Sequence, residues 1–203
     1  MSDEQRFHNC LDPDPFSTFA LWLQDAERAG NALPHAMTLA TASGNNIPSA
    51  RIVLLRGVDE RGFVFFTNYE SLKGQHLKDN PFAALLFYWP ELSRQIRIAG
   101  AVHQLEGDAS DRYFAGRPRG HQIEAHASPQ SQVISGRAEL VERFAAEAQR
   151  YAGKDVPRPR NWGGYRVVPE SFEFWREGDN RLHDRRRYQR DKENRWVMEH
   201  LAP

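Results

Sequence analysis

The chain predicts a mainly β fold with flanking helices, an α+β arrangement in which an antiparallel sheet closes into a barrel. Three observations lead there. Stretches of strand character outnumber helical ones, short turn signals join most consecutive strands, and the few helical stretches carry one apolar stripe that a sheet can cover.

Asp12-Pro-Asp-Pro15 offers capping carboxylates and a fixed φ ahead of a helix in which Phe16, Phe19, Leu21, Leu23 and Ala26 recur, ending at Gly30. Ala36 to Ala42 and Ser49 to Val58 read as two strands joined by the turn Ser43-Gly-Asn-Asn46, a hairpin. Asp59-Glu-Arg-Gly62 turns the chain into Phe63-Val-Phe-Phe-Thr67, rich in aromatic and β-branched residues. Ser71 can cap a short helix to about Lys78, and Asn80-Pro81 breaks it before the strand Phe82 to Trp89. Gln95 to Leu105 is a further strand. Asp108 to Phe114 and Ala138 to Tyr151 look helical, the second with Leu140, Val141, Phe144 and Ala148 as a stripe for packing on the sheet. After the loop at Pro157-Arg-Pro159, strands are predicted near 164–169, 171–177, 184–190 and 195–200.

At 203 residues the chain suits a single domain over 12–203 behind a polar, mobile tail at 1–11. Lysine plus arginine and aspartate plus glutamate are 27 each, so no global positive field favours nucleic acid. The lone Cys10 cannot form an internal disulfide, and no apolar signal segment or membrane-spanning run is visible, so a reducing cytoplasm is the expected setting. The eight histidines are scattered, with His121 and His126 five apart, and no metal site is expected.

The most informative stretch runs from Glu173 to Tyr188. Phe172, Phe174 and Arg176 alternate with Glu173 and Trp175, Glu177-Gly-Asp-Asn180 reverses the chain, and His183 and Arg185 then share one face of the returning strand. Arg181 and Arg185 can fork onto phosphate or carboxylate, and the Trp175 indole offers a flat surface to an aromatic ring. Read from chemistry alone, an exposed basic hairpin guarding a sheet edge remains open.

Arg181-Leu-His-Asp-Arg185, followed by Tyr188, Arg190, Trp196 and the terminal Leu-Ala-Pro203, resembles the C-terminal signature of the pyridoxamine 5'-phosphate oxidases. The resemblance runs almost end to end. It takes in Arg51-Ile-Val-Leu-Leu-Arg56, Phe65-Phe-Thr-Asn68, Ser71-Leu-Lys-Gly74, Arg94-Gln95, Tyr113-Phe-Ala-Gly-Arg117, Gln130-Ser131 and Trp162-Gly-Gly-Tyr-Arg166. It implies a split β-barrel binding flavin mononucleotide (FMN) at a homodimer interface. Residues implied to hold the cofactor are Arg51, Ile52, Val53, Leu54, Leu55, Arg56, Phe66, Thr67, Ser71, Lys73, Gln95, Gln130, Ser131, Trp175 and Arg185, some reaching it from the neighbouring subunit. The substrate phosphate is implied to sit on Arg56, Tyr113, Arg117 and His121, with Arg181 and His183 close to the substrate ring as the catalytic pair.

Three positions depart from the family pattern: Arg56 where lysine is usual, His121 in place of serine, and Leu72 where an arginine commonly precedes the matched lysine. Arg56 keeps the charge with a planar fork and can compensate for Leu72. The implied reaction is FMN-dependent oxidation of pyridoxamine or pyridoxine 5'-phosphate to pyridoxal 5'-phosphate, with oxygen as acceptor and hydrogen peroxide as product. Two alternatives remain: an oxidase of a non-phosphorylated substrate such as a reduced phenazine precursor, and a flavin- or pyridoxal-phosphate-binding module without turnover.

Overall fold

A computed structural model of the chain describes residues 13–203; the predicted tail at 1–11, Cys10 included, lies outside them. Nine strands form one antiparallel sheet: β1 Ala36–Ala42, β2 Pro48–Leu54, β3 Gly57–Asp59, β4 Gly62–Asn68, β5 Phe82–Trp89, β6 Arg94–Gln104, β7 Trp162–Arg176, β8 Asp184–Arg190 and β9 Trp196–His200. Their order is β2-β1-β5-β6-β7-β4-β3, with β8 on β7 and β9 on β8. One edge of β7 serves two neighbours, β4 along Trp162 to Val167 and β8 along Ser171 to Arg176, and there the curled sheet splits.

Pro169 sits in the gap between those partners, where a residue without an N–H costs no ladder bond. The two strands predicted near 164–169 and 171–177 are therefore one. Glu170 is the extra residue of a bulge between the pairs Ala99–Ser171 and Gly100–Pro169, which keeps β6 and β7 paired along their length. A Cβ at Gly100 would land on the carbonyl oxygen of Val168, so the bulge demands glycine.

The single strand predicted over Ser49 to Val58 is two, and they lie at opposite ends of the strand order. Only Leu55 and Arg56 join them. The Leu55 amide donates to the His35 carbonyl at 2.9 Å and the Arg56 amide to the Val64 carbonyl at 2.8 Å, so these two residues bring the edges together. The barrel is closed by this chain passage, with no paired ladder between β2 and β3.

The core is largely aromatic. Helix α1 (Pro15–Arg28) starts where the Asp14 carboxylate accepts from the Phe16 and Ser17 amides at 3.2 and 3.1 Å. Its Phe19 meets Phe63 and Phe87 edge-on, centroids 4.8 and 5.1 Å apart, and Trp22 meets Phe174 at 5.2 Å. The other helices are α2 Leu72–Asp79, α3 Gly107–Ala115, α4 Arg119–Ala127 and α5 Arg137–Arg150.

Helix α4 escaped the sequence reading because Pro118 and Gly120 obscure its start and its buried side is only Ile123, Ala125 and Ala127. Helix α5 corrects an expectation: none of its residues is buried, and Val141 and Phe144 of its stripe are exposed. Ala148 packs instead on a second cluster of Phe114, Ile123, Tyr151 and Trp162, beside α4. Among the described residues no helix is long and apolar enough to cross a membrane.

Candidate active site

One corner of the site is built by β1, β2 and the start of α2. Leu39 and Arg51 are opposite each other in the β1–β2 ladder. The Arg51 guanidinium donates through Nη1 to the Leu39 carbonyl at 3.0 Å and to Thr41 Oγ1 at 2.8 Å, and through Nη2 to Ser49 Oγ at 2.6 Å. Ser71 is fully buried, caps α2 by accepting from the Gly74 amide, and donates to the Asn68 carbonyl at 2.7 Å. Gly74 is required because a Cβ there would strike the Tyr69 backbone.

From the first turn of α2, Lys73 Nζ donates to Ser71 Oγ at 3.1 Å and to Gln130 Oε1 at 2.8 Å; that amide oxygen also accepts from Thr67 Oγ1 at 3.0 Å. All these partners are neutral. Burial, with Arg51 close by, pulls the Lys73 ammonium down to about 8, and burial likewise lowers Arg51. Two cations held together on uncharged oxygens at a helix start make a seat for an anion.

The opposite wall is aromatic. Tyr113 of α3 stacks on Phe66 of β4, centroids 3.7 Å apart and planes 6° from parallel, and Trp162 follows Phe66 at 5.6 Å and 12°. Arg117, just past α3, lies over the Trp162 ring at 4.5 Å. Its Nη2 comes no closer than 3.8 Å to Glu124, and its Nη1 is buried without a hydrogen-bond partner. Burial pushes this guanidinium below its usual range, only partly offset by Glu124. Lining the cleft, this donor can be offered to a ligand oxygen.

Between the corner and the wall lies a cleft of about 1090 Å³. Arg51, Arg56, Lys73, Arg112, Arg117 and His121 line it, and among the described residues no aspartate or glutamate does. Of the residues the resemblance implies, it also gathers Ile52, Val53, Leu54, Phe66, Thr67, Tyr113, Gln130 and Ser131. Leu55 turns into the core instead. Ser71 does not line the cleft and touches it only through the hydrogen bond it accepts from Lys73. Arg112 and Trp162 line the cleft without having been singled out as site residues; Arg112 is adjacent to Tyr113, and Trp162 opens a quoted motif. Leu72 lines it too and is exposed.

A second group lies elsewhere on the chain. Gln95, Trp175 and Arg185 sit side by side across β6, β7 and β8. The Arg185 Nε and Nη2 donate to Glu173 Oε1 at 3.0 and 2.9 Å, and its Nη1 donates to the Ala202 carbonyl at 2.8 Å, which ties the C-terminal segment to this row. The His183 ring is 4.8 Å from Trp175, and its Nδ1 accepts from the Gly178 amide at 3.3 Å. Asn180 and Arg181 take consecutive left-handed conformations, φ 54° and 65°, a strain often held at ligand-binding turns. Arg181 and His183 line a smaller hollow of about 490 Å³ with Ser93 and Glu177. Within one chain the structure does not bring this group to the cleft.

A split barrel with a cationic, ring-walled cleft defines the class of split-barrel flavoproteins. The chain belongs to the pyridoxamine 5'-phosphate oxidase family: residues 23–153 match the family "Pyridoxamine 5'-phosphate oxidase" and residues 162–203 match the "Pyridoxine 5'-phosphate oxidase C-terminal dimerisation region". Its members are FMN-dependent oxidases and its cofactor is FMN. The residues fit that group, with two acid-free cations for a phosphate and a cleft wide enough for fused rings.

The chain is 55% identical to the pyridoxine/pyridoxamine 5'-phosphate oxidase of Burkholderia ambifaria over 94% of this chain and 90% of the relative. It is 53% identical to the protein of that name from Burkholderia lata strain 383, over 94% and 89%. The crystal structure of PhzG from Burkholderia lata 383, in complex with tetrahydrophenazine-1-carboxylic acid, superposes with a TM-score of 0.89 at 34% identity, covering 95% of this chain and 94% of that one. A pyridoxamine 5'-phosphate oxidase-related, FMN binding protein of Nostoc punctiforme shares the fold, with a TM-score of 0.75 at 17% identity over 94% and 98%.

Proposed function

We propose that the protein is a homodimeric oxidase of pyridoxamine and pyridoxine 5'-phosphate, forming pyridoxal 5'-phosphate. The observation that carries this reading is the cleft's set of arginine and lysine side chains with no carboxylate among them, enough cationic donors for two phosphates. Arg51 and Lys73, steadied by Gln130 and Thr67, hold the cofactor phosphate, and the β2 backbone from Ile52 to Leu54 runs beside the ring system. FMN bound there would supply the two-electron redox chemistry that couples oxidation of the substrate carbon to reduction of oxygen to hydrogen peroxide. Arg117, Arg56 and Tyr113 seize the substrate phosphate, with Arg112 and His121 at the rim. Tying down the phosphate end converts a diffusing ring into a positioned one, and this positioning is the protein's main contribution to rate.

Gln95, Trp175, Arg181, His183 and Arg185 complete the partner subunit's cleft, so two chains make two whole sites. Arg181 orients the substrate ring and His183 hydrogen-bonds near the reacting substituent. The C-terminal dimerisation region supports this division, since it contains four of these five residues.

A second reading is supported by the likeness to PhzG and by apolar Leu72 in the cleft: oxidation of a reduced tricyclic carboxylic acid. Against it, the chain shares far more with the Burkholderia lata enzyme named for pyridoxine phosphate than with the PhzG of the same strain. Arg117's orphaned donor also suits a phosphate's three oxygens better than one carboxylate. The test is kcat/KM for pyridoxine 5'-phosphate against pyridoxine: preference for the phosphate by about a hundredfold or more supports the proposal. Equal turnover of the two would sink it.

A further inference from the structure

Behind the anion corner lies a buried histidine that the reaction does not use. Burial alternates along β1, and Thr41 falls at a buried position in line with Met37 and Leu39, where a hydroxyl must find partners. It has one on each side: Arg51 Nη1 at 2.8 Å and, from α2, His76 Nδ1 at 3.2 Å. His76 is itself buried, beside Gly74 and Leu77 on the inner side of the helix whose first turn carries Lys73. Packing alone would ask for an apolar residue there.

We propose that His76 is a positioning residue for the anion corner, holding the Arg51 guanidinium in place through the Thr41 hydroxyl. A guanidinium only donates, so Thr41 Oγ1 accepts from Arg51 and has its own proton left for Nδ1 of a neutral imidazole. The Arg51 bond runs one way only, and with the imidazole proton on Nε2 the Thr41 hydroxyl donates to Nδ1. The hydroxyl can then neither turn its proton toward Arg51 nor leave the guanidinium free to swing between Ser49 and the cleft. The same contact ties α2 to β1, on which β2 is paired, so the two cations, Lys73 on α2 and Arg51 on β2, keep their mutual distance whether or not an anion is present. A seat formed in advance binds more tightly because less ordering accompanies binding. This inference rests on the reading of Arg51 and Lys73 as the FMN phosphate site.

The test measures dissociation constants of the FMN-free protein for FMN and for riboflavin, which lacks the phosphate, by quenching of flavin fluorescence. His76→Leu and Thr41→Val, each close in volume to the residue replaced, raise the FMN constant about tenfold, as for loss of a bond that orders a charged group, and leave riboflavin unchanged. His76→Asn, whose Oδ1 offers an acceptor near the place of Nδ1, and Thr41→Ser, which keeps the hydroxyl, stay near wild type. The double variant His76→Leu/Thr41→Val is no weaker than Thr41→Val alone, because both changes cut one chain. Additive losses, equal weakening of riboflavin, or unchanged FMN affinity in the leucine and valine variants would overturn the relay. Wild-type protein that binds FMN no better than riboflavin would overturn the phosphate-site reading beneath it, a distinct result.

Discussion

Replacing Arg117 by methionine separates function from stability. The side chain is 16% exposed, stands 4.5 Å over Trp162, lacks a carboxylate at hydrogen-bond distance, and has its Nη1 buried without a partner. Methionine keeps an unbranched stem against Trp162. It forfeits about 1 kcal/mol of cation–π attraction and relieves a buried, unpartnered donor that costs about 1–3 kcal/mol, so the fold should be unchanged or gain up to about 2 kcal/mol. Phosphate binding loses a charged hydrogen bond of about 1.5–3 kcal/mol, which is about 10- to 150-fold in kcat/KM for pyridoxine 5'-phosphate. Steady-state peroxide release gives the change in kcat/KM, and urea unfolding of the FMN-loaded protein the change in stability. Unphosphorylated pyridoxine should be turned over as by wild type, and FMN should remain bound. A fall of less than about threefold, or an equal fall for pyridoxine, would refute the assignment of Arg117 to the substrate phosphate.

Lys73 makes cofactor binding depend on pH. Because its FMN-free pKa is depressed to about 8, the charge proposed to hold the cofactor phosphate is lost as pH rises through that value. FMN affinity should therefore fall by up to about tenfold per pH unit above about 8, read by fluorescence titration, with Lys73→Arg flattening the profile. The unfolded chain binds the extra proton between about 8 and 10.5, so the FMN-free fold should gain stability with pH over that window. If sites are shared between subunits, Arg117→Met and Arg181→Ala homodimers should be weak, while random mixed dimers regain about a quarter of wild-type activity, one intact site in half the dimers; no recovery would place Arg181 in its own chain's cleft. Burial works against the charge of Asp59, but hydrogen bonds from Arg61 and Arg166 outweigh it and hold the carboxyl at about 2. A depressed carboxylate contributes above its ordinary 3.8 and loses that contribution as pH falls through about 2. Asp59→Asn should accordingly cost about 1–2 kcal/mol at neutral pH, a deficit that shrinks below about pH 4 in thermal unfolding.

Most strands were legible because their residues alternate between core and surface, as in Phe82–Trp89, where every second residue is buried. The division of β2 from β3 was hidden by Leu55: an apolar residue reads as more strand, although its amide turns back to His35 while Arg56 crosses to Val64. Pro169 reads as a break when the strand runs straight through it, because the residue falls where β7 changes partners. In the site, arginine and lysine side chains were visible as types, and their order along the chain carried the resemblance. What sequence could not show was the lack of acids around Arg51 and Lys73, a property of three-dimensional neighbours. Nor could it place Arg112 in the cleft, or show that the buried His76 reaches Arg51 across β1.

The most direct measurement is anaerobic mixing of the FMN-loaded protein with pyridoxine 5'-phosphate while the flavin's visible absorbance is followed. Bleaching that reverses when oxygen enters, with pyridoxal 5'-phosphate and peroxide formed, is the result predicted. Flavin that stays oxidised with this substrate yet bleaches with a reduced tricyclic acid would contradict the account and give the site to the second reading.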